Sequence, residues 1–213
     1  GYAHYLAYSD VIALADGYRF RLCTEQGDFS LQLPLLGEFN IQNVLAAIGA
    51  LYMLGYPLNT LIASAEQLKA VPGRMEQFLF PQQFTAVIDY AHTPDALQQA
   101  LQSLRMHCAS RMWCVFGCGG DRDRGKRPLM GQLAELFADH IIVTADNPRS
   151  EDIVAICEEI AAGMSPDARY QIEPDRKAAI KLALVSAQPG DIVLVAGKGH
   201  ETVQIVGAEV RQY

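Results

Sequence analysis

Along the chain the spacing of apolar residues changes twice. Residues 12–33 alternate apolar and polar groups, whereas from Ile41 the apolar positions recur at helical spacing, through Val44, Leu45, Ile48, Leu51 and Leu54. The alternating stretch turns at Ala15-Asp16-Gly17 and at Gln26-Gly27-Asp28. It predicts short antiparallel strands joined by tight turns, as at a sheet edge. The helical stretch has Asn40 placed as its cap and Gly55 as its stop, and a second short helix is predicted from Asn59 to Leu68, after Pro57. Val71-Pro72-Gly73 then breaks the pattern, which divides the chain into residues 1–71 and 72–213, with Val71 to Gly73 as a candidate hinge.

Beyond the break the chain repeats strand, loop and amphipathic helix. Strands are predicted at Ala86 to Asp89, Met112 to Phe116, His140 to Thr144, Tyr170 to Ile172 and Ile192 to Ala196. Helices are predicted between them, at Pro94 to His107, Arg127 to Phe137, Ile153 to Met164 and Arg176 to Ala187. The alternation implies an α/β fold with a Rossmann-like, mostly parallel sheet covered on its faces. Ligands of such open sheets sit outside the carboxyl ends of the strands. Asp89 to Pro94, Gly117 to Lys126, Asp146 to Arg149 and Gly197 to Glu201 each come directly after a predicted strand, so the pattern alone brings four polar loops to one candidate site.

The chemistry of these loops is specific. In Asp146-Asn147-Pro148-Arg149 the arginine fork suits a carboxylate and the asparagine adds a directional donor and acceptor. In Gly197-Lys198-Gly199-His200-Glu201 the glutamate can hold an ammonium beside a bare glycine backbone, and the glycines also suit a strand-ending turn with positive φ. The pair reads as a receptor for a small zwitterion. An ordinary loop, with Pro148 setting a turn and Asp146 capping the next element, is the competing reading of the first motif. Gly120 to Lys126 matches GxxxxGK, yet Arg127 stands where a serine or threonine should supply a magnesium-binding hydroxyl, and Arg122 stands where GxGxxG needs glycine. The loop is therefore either a solvated charged turn or an anion site built on Arg122 and backbone N–H groups.

With Gly73-Arg74-Met75-Glu76, Asp89-Tyr90-Ala91-His92-Thr93-Pro94 and Gly37-Glu38-Phe39-Asn40-Ile41-Gln42-Asn43, these motifs resemble the C-terminal part of the Mur ligases that take meso-diaminopimelate, over nearly the whole chain. The resemblance implies the tail of a central ATP-binding domain in residues 1–71 and the amino-acid-binding domain in residues 72–213. It implies meso-diaminopimelate bound by Arg122, Asp146, Asn147, Pro148, Arg149, Gly197 and Glu201. Arg149 and Asn147 would take the distal carboxylate that lysine does not possess. On the nucleotide side it implies Asn40 near adenine with Asn43 as its alternate, Arg74 reaching the nucleotide, Asp89 accepting from ribose hydroxyls and His92 near the phosphates at the start of a helix. His200 is read as a packing residue rather than a base.

The implied reaction uses ATP and Mg2+ to turn the D-glutamate γ-carboxylate of UDP-N-acetylmuramoyl-L-alanyl-D-glutamate into an acyl phosphate that the amine of meso-diaminopimelate attacks. Positioning and charge neutralisation would carry catalysis, with no protein nucleophile and no metal ligand in this chain. No GKT or GKS P-loop occurs in the sequence. In the family the P-loop, the magnesium ligands, a carbamylated lysine and the UDP-sugar domain lie upstream, and an acidic segment and helix come after the region of Val206-Gly207. The chain is thus expected to be a fragment cut at both ends, without ligase turnover by itself. A folylpolyglutamate-synthetase-like ligase and a non-catalytic amino-acid or nucleotide-binding module are the alternatives.

Composition narrows the setting. The 213 residues are 50% hydrophobic and 19% charged, enough to bury a sizeable core. The net charge of -7 is spread evenly, with 3 basic and 6 acidic residues in the first 72, so no basic face suggests nucleic acid. Gly1 to Leu6 lack the features of a leader, and no apolar run is long enough to span a bilayer. Five cysteines without a CxxC pair read as small buried hydrophobes in a reducing cytoplasm, and a monomer is expected.

Overall fold

The computed structural model describes residues 5–80 and 84–212. Gly1 to His4, read above for a leader, lie outside the described residues. The chain separates into two compact units, one ending at Ala70 and the other beginning at Val71.

The first unit is a three-stranded antiparallel sheet, β1 (Leu6–Leu14), β2 (Gly17–Thr24) and β3 (Gly27–Leu33), followed by α1 (Phe39–Met53) and α2 (Leu58–Ala65). Alternation along β2 decides which face is covered: Tyr18, Phe20 and Leu22 are buried while Arg19 and Arg21 face solvent. Those side chains join Leu31 and Leu33 of β3, and Ile41, Val44, Leu45 and Ile48 of α1 and Leu58, Leu61 and Ile62 of α2 complete a single core. Gly55, at φ +94, ends α1. Asn40 does not cap that helix. Gly37 turns the chain at φ +86 and already accepts from the Asn40 N–H at 2.9 Å, so the helix starts at Phe39 with Glu38 at the N-cap. The Asn40 amide instead donates back to the Leu36 carbonyl at 2.7 Å and accepts from Asn43 at 3.1 Å.

The second unit holds a six-stranded sheet in the order β4-β5-β9-β6-β7-β8. β4 (Glu76–Leu79) is its antiparallel edge; β5 (Thr85–Asp89), β6 (Met112–Phe116), β7 (His140–Val143), β8 (Tyr170–Ile172) and β9 (Ile192–Ala196) run parallel. The helices are α3 (Pro94–Arg105), α4 (Lys126–Phe137), α5 (Ile153–Ala161) and α6 (Arg176–Ser186). The path moves one way across the sheet through α3, α4 and α5, then reverses through α6 to insert β9 between β5 and β6. Right-handed crossovers therefore put α6 on the face opposite the other three. There Ala179, Ala183 and Ala187 pack on Ala86, Val115, Ile142, Val193 and Val195.

Three helices start on side-chain caps: Thr93 Oγ1 accepts from Ala96, Asp152 from Ala155, and Asp175 from Lys177 and Ala178. The helix after the Asp-Asn-Pro-Arg segment is thus capped by Asp152 and not by Asp146. Two elements lie outside the sequence-based expectation, the edge strand β4 and a terminal hairpin of β10 (Val203–Val206) and β11 (Glu209–Gln212). The hairpin is pinned by Arg149, whose N–H donates to Ile205 O at 3.1 Å and whose carbonyl accepts from Gly207 N at 2.7 Å.

Candidate functional site

At the carboxyl ends of β6 and β7 two loops are zipped together. Gly120 N donates to Asn147 O at 2.9 Å, and Arg149 Nη1 donates back to Gly120 O at 2.8 Å and to Asn147 O at 3.3 Å. Only glycine fits at 120, because a Cβ there would stand 1.8 Å from Pro148 O. Asp121 extends the zipper by accepting from Ser150 N at 3.2 Å and Ser150 Oγ at 2.6 Å, while its own N–H donates to Glu151 Oε1 at 2.6 Å.

Beneath the zipper Arg127 is fully buried. It donates twice to Glu151, at 2.8 and 2.9 Å, to Glu159 at 2.7 Å, and to the Gly119 carbonyl at 3.3 Å. The Arg127 guanidinium, with the Asp121 N–H, holds the Glu151 carboxyl down to about 2. The residue that spoils a GxxxxGK nucleotide loop thus ties its own loop to α5. Arg149 sits at φ +51, a conformation that costs a non-glycine residue about 1–2 kcal/mol and that the surrounding bonds enforce. With Nη1 spent on carbonyls, its Nη2 and Nε edge is not engaged by any described residue.

The ends of β7 and β9 meet around Lys198, which is buried. Gly197 and Gly199, at φ +110 and +50, turn the strand end so that this side chain drops inward. Its ammonium donates to Asn147 Oδ1 at 2.9 Å, Val203 O at 2.9 Å and Glu201 Oε2 at 3.2 Å, and lies 3.4 Å from Asp146 Oδ1. Asn147 Oδ1 also accepts from Ile205 N at 3.0 Å, and Asn147 Nδ2 donates to Glu201 Oε2 at 3.3 Å. Burial pushes the Glu201 carboxyl up, and Lys198, Asn147 and Tyr90 together override it and hold it below the usual range. Arg176, also buried, donates to Ala145 O at 3.3 Å and Ala196 O at 2.8 Å, which ties the ends of β7 and β9 together across the intervening β6.

Tyr90, after β5, links this cluster to the Gly73-Arg74-Met75-Glu76 turn. Its hydroxyl donates to Glu201 Oε1 at 3.3 Å, and the Arg74 guanidinium lies over its ring at 4.2 Å. The turn closes through Glu76, which accepts from Gly73 N at 2.8 Å, and a Cβ on Gly73 would stand 2.2 Å from His200 N. Asp89 accepts from Met75 N at 2.9 Å and Ala91 N at 2.8 Å. His200 stacks at 5.9 Å from the Tyr90 ring. His92 is exposed, with Nδ1 2.8 Å from Tyr90 O, and its own carbonyl accepts from Lys126 Nζ at 2.8 Å.

The structure therefore gathers Asp146, Asn147, Pro148, Arg149, Gly197 and Glu201 into one bonded cluster, with Arg74 and Asp89 joined to it through Tyr90 and the Met75 turn. Arg122 is exposed, and among the described residues its side chain bonds to Asp121 O of its own loop, at 3.0 Å. Asn40 belongs to the first unit. Sequence reasoning missed Lys198, Tyr90 and the Arg127–Glu151 clamp. The available signal was a lone lysine between two glycines after a wholly apolar strand. Cys114, Cys118 and Cys157 are buried and free, and burial raises the Cys118 and Cys157 thiols to about 12 and about 11, so they act as small hydrophobes. Among the described residues no helix is long and apolar enough to cross a membrane.

Comparison with known proteins gives this geometry a family. Residues 73–199 match the Mur ligase, glutamate ligase domain, and residues 2–51 match the Mur ligase middle domain. The chain is 53% identical over 184 residues to the UDP-N-acetylmuramoyl-L-alanyl-D-glutamate--2,6-diaminopimelate ligase of Haemophilus influenzae, an alignment that covers 86% of this chain and 38% of that relative. A solved ligase of the same description is 43% identical, with a TM-score of 0.76, over 99% of this chain and 43% of its own. A Mycobacterium tuberculosis folylpolyglutamate synthase complexed with ADP and AMPPCP, at 23% identity and a TM-score of 0.71, shares the fold. The chain spans well under half the length of the relatives it matches, and it belongs to the Mur ligase family.

Proposed function

We propose that this chain is the amino-acid-binding part, with an adjoining piece of the central ATP-binding domain, of an ATP-dependent ligase. That ligase joins meso-diaminopimelate to UDP-N-acetylmuramoyl-L-alanyl-D-glutamate in cytoplasmic peptidoglycan synthesis. The observation that carries the reading is the cluster at the ends of β7 and β9. Arg149 offers its Nη2 and Nε edge, Asn147 an amide N–H, and Glu201 an acceptor, which together suit one carboxylate and one ammonium on the same carbon. A second carboxylate and amine on the ligand would reach the reacting end, where Arg122 lies on an exposed loop. The match of residues 73–199 to the glutamate ligase domain and of residues 2–51 to the middle domain supports the division into amino-acid and nucleotide parts.

In the reaction ATP gives its γ-phosphoryl group to the substrate's γ-carboxylate, and ADP leaves. The free amine of meso-diaminopimelate attacks the acyl carbon, phosphate departs, and the amine loses a proton as the amide forms. This chain contributes to the second half by holding the far end of the amino acid so that its amine is presented at a fixed distance and angle. Arg74, Asp89, His92 and Asn40 are proposed for the nucleotide side. Asp89 is oriented by two backbone N–H groups and Arg74 by the Tyr90 ring. No group of three acidic, histidine or cysteine side chains among the described residues is placed to hold a metal ion.

The test is titration of the 15N-labelled chain with meso-diaminopimelate and, separately, L-lysine. Selective shifts at Asn147, Arg149 and Glu201 with the first ligand, and weaker ones with the second, are expected. Equal responses to both would remove the carboxylate role of Arg149 and the reading with it.

A further inference from the structure

We infer that Lys198 is a positioning residue that fixes the side-chain amide of Asn147 in one orientation, so that Asn147 meets the ligand only as a hydrogen-bond donor. This inference rests on the proposed amino-acid site and deepens it. An asparagine side chain carries two acceptor positions and two donor protons, and in most sites it can turn either edge to a ligand. Here both acceptor positions of Oδ1 are consumed internally, by Lys198 Nζ at 2.9 Å and by Ile205 N at 3.0 Å. A flipped amide would aim its N–H groups at an ammonium and a backbone N–H, leaving two buried donors unsatisfied, so the environment permits only one assignment. On the other edge, Nδ2 gives one proton to Glu201 Oε2 at 3.3 Å. The second N–H is not engaged by any described residue, and it is the polar capacity that Asn147 has left for a ligand.

The consequence is selectivity by sign. A group that accepts, such as a carboxylate oxygen, meets a donor at Asn147 and at the free edge of Arg149. An ammonium is refused there and directed to Glu201. Lys198 cannot serve as a ligand group itself, because its ammonium is buried and aimed at Asn147, Val203 and Glu201, with Asp146 at 3.4 Å. Two carboxylates around one lysine carry one net negative charge beside the Arg149 guanidinium, so the cluster as a whole is neutral and suits a ligand group with one carboxylate and one ammonium. Tyr90, which donates to the other Glu201 oxygen at 3.3 Å, keeps that carboxylate turned toward the cluster.

The experiment uses the 213-residue chain, with the Asn147 side-chain amide signals assigned by their loss in Asn147→Asp. In the unmodified chain the Lys198 ammonium should give a slowly exchanging 15N signal, as a buried, bonded group does. A rapidly exchanging ammonium overturns the inference before any variant is made. In Lys198→Met, which keeps an unbranched apolar side chain one atom shorter and removes the donor, the Asn147 amide pair should move and exchange at least roughly tenfold faster. The preference for meso-diaminopimelate over L-lysine should fall by roughly fivefold or more, the order expected when one charge-assisted bond is lost. Lys198→Gln, which restores an uncharged donor, should recover most of the amide shift, and Lys198→Leu takes the place of the methionine variant if that one does not fold. A folded methionine or leucine variant with unchanged Asn147 signals overturns the positioning role. If the unmodified chain does not prefer meso-diaminopimelate, the proposed function falls, while the ligand-free amide and ammonium signals still decide the role of Lys198.

Discussion

Arg149 and Glu201 are expected to fail in different ways when altered, because the proposed site turns them toward opposite charges. Arg149→Ala removes a charged donor edge worth about 1.5–3 kcal/mol to a carboxylate, so meso-diaminopimelate should bind roughly 10- to 100-fold more weakly while L-lysine is little affected. Glu201→Gln removes the negative charge proposed to hold the ammonium that both ligands carry, and it should weaken both to a similar degree. Calorimetric titration of each variant with each ligand checks the pair, and a uniform loss in both variants would contradict the division of labour. The place of Arg149 just beyond a strand end was legible from the sequence. That its Nη1 is spent on Gly120 and Asn147 carbonyls was not, because the Gly120 acceptor comes from a neighbouring loop distant in sequence. Lys198 was illegible for another reason: a lysine is normally solvated, and only the convergence of Asp146, Glu201 and Asn147 makes its burial tolerable.

The zipper between the loops after β6 and β7 predicts a loss of binding from a residue that touches no ligand. Gly120→Ala would place a methyl group 1.8 Å from Pro148 O, forcing the loops apart. Overpacking of this kind typically costs about 1–3 kcal/mol, and the displaced Arg149 should lower meso-diaminopimelate affinity along with the denaturant midpoint. Retained affinity with lowered stability would show that the zipper does not hold Arg149 in its binding position. Acid should act on the same element through Glu151. Its folded-state value near 2 lies below the ordinary carboxylate value of about 4.3, so the stabilisation is complete above that ordinary value and is lost as pH falls from there toward 2. Glu151→Gln should flatten the stability profile across that window, as followed by circular dichroism, while leaving the profile above about pH 5 with its original slope. The main elements of this region were readable in advance, since β5, β6, β7 and β9 are apolar runs and the helices between them bury one stripe each. β4 and the β10–β11 hairpin were not, because Phe78, Leu79 and all of β11 are exposed and their order comes from pairing rather than from a buried face. Asn40 misled for a related reason: it has the chemistry of a cap, but Gly37 starts the turn earlier.

Each of the two units closes its own core, and every bond described among Arg74, Asp89, Tyr90, Asn147, Arg149, Lys198 and Glu201 lies within the second. The first unit contributes Asn40 and a core built on a three-stranded sheet and two helices, a size at which a single core is marginal by itself. The second has a six-stranded sheet with helices on both faces and contains its own site framework. A chain reduced to residues 71–213 should therefore fold cooperatively, reproduce the backbone amide spectrum of that region in the longer chain, and keep the preference for meso-diaminopimelate over L-lysine. It should lose any response to ATP that depends on Asn40. If the shortened chain folds but no longer distinguishes the two amino acids, the framework at the ends of β7 and β9 is insufficient, and the first unit must take part in amino-acid recognition. If it distinguishes them as well as the longer chain does, specificity for the amino acid resides in the second unit alone.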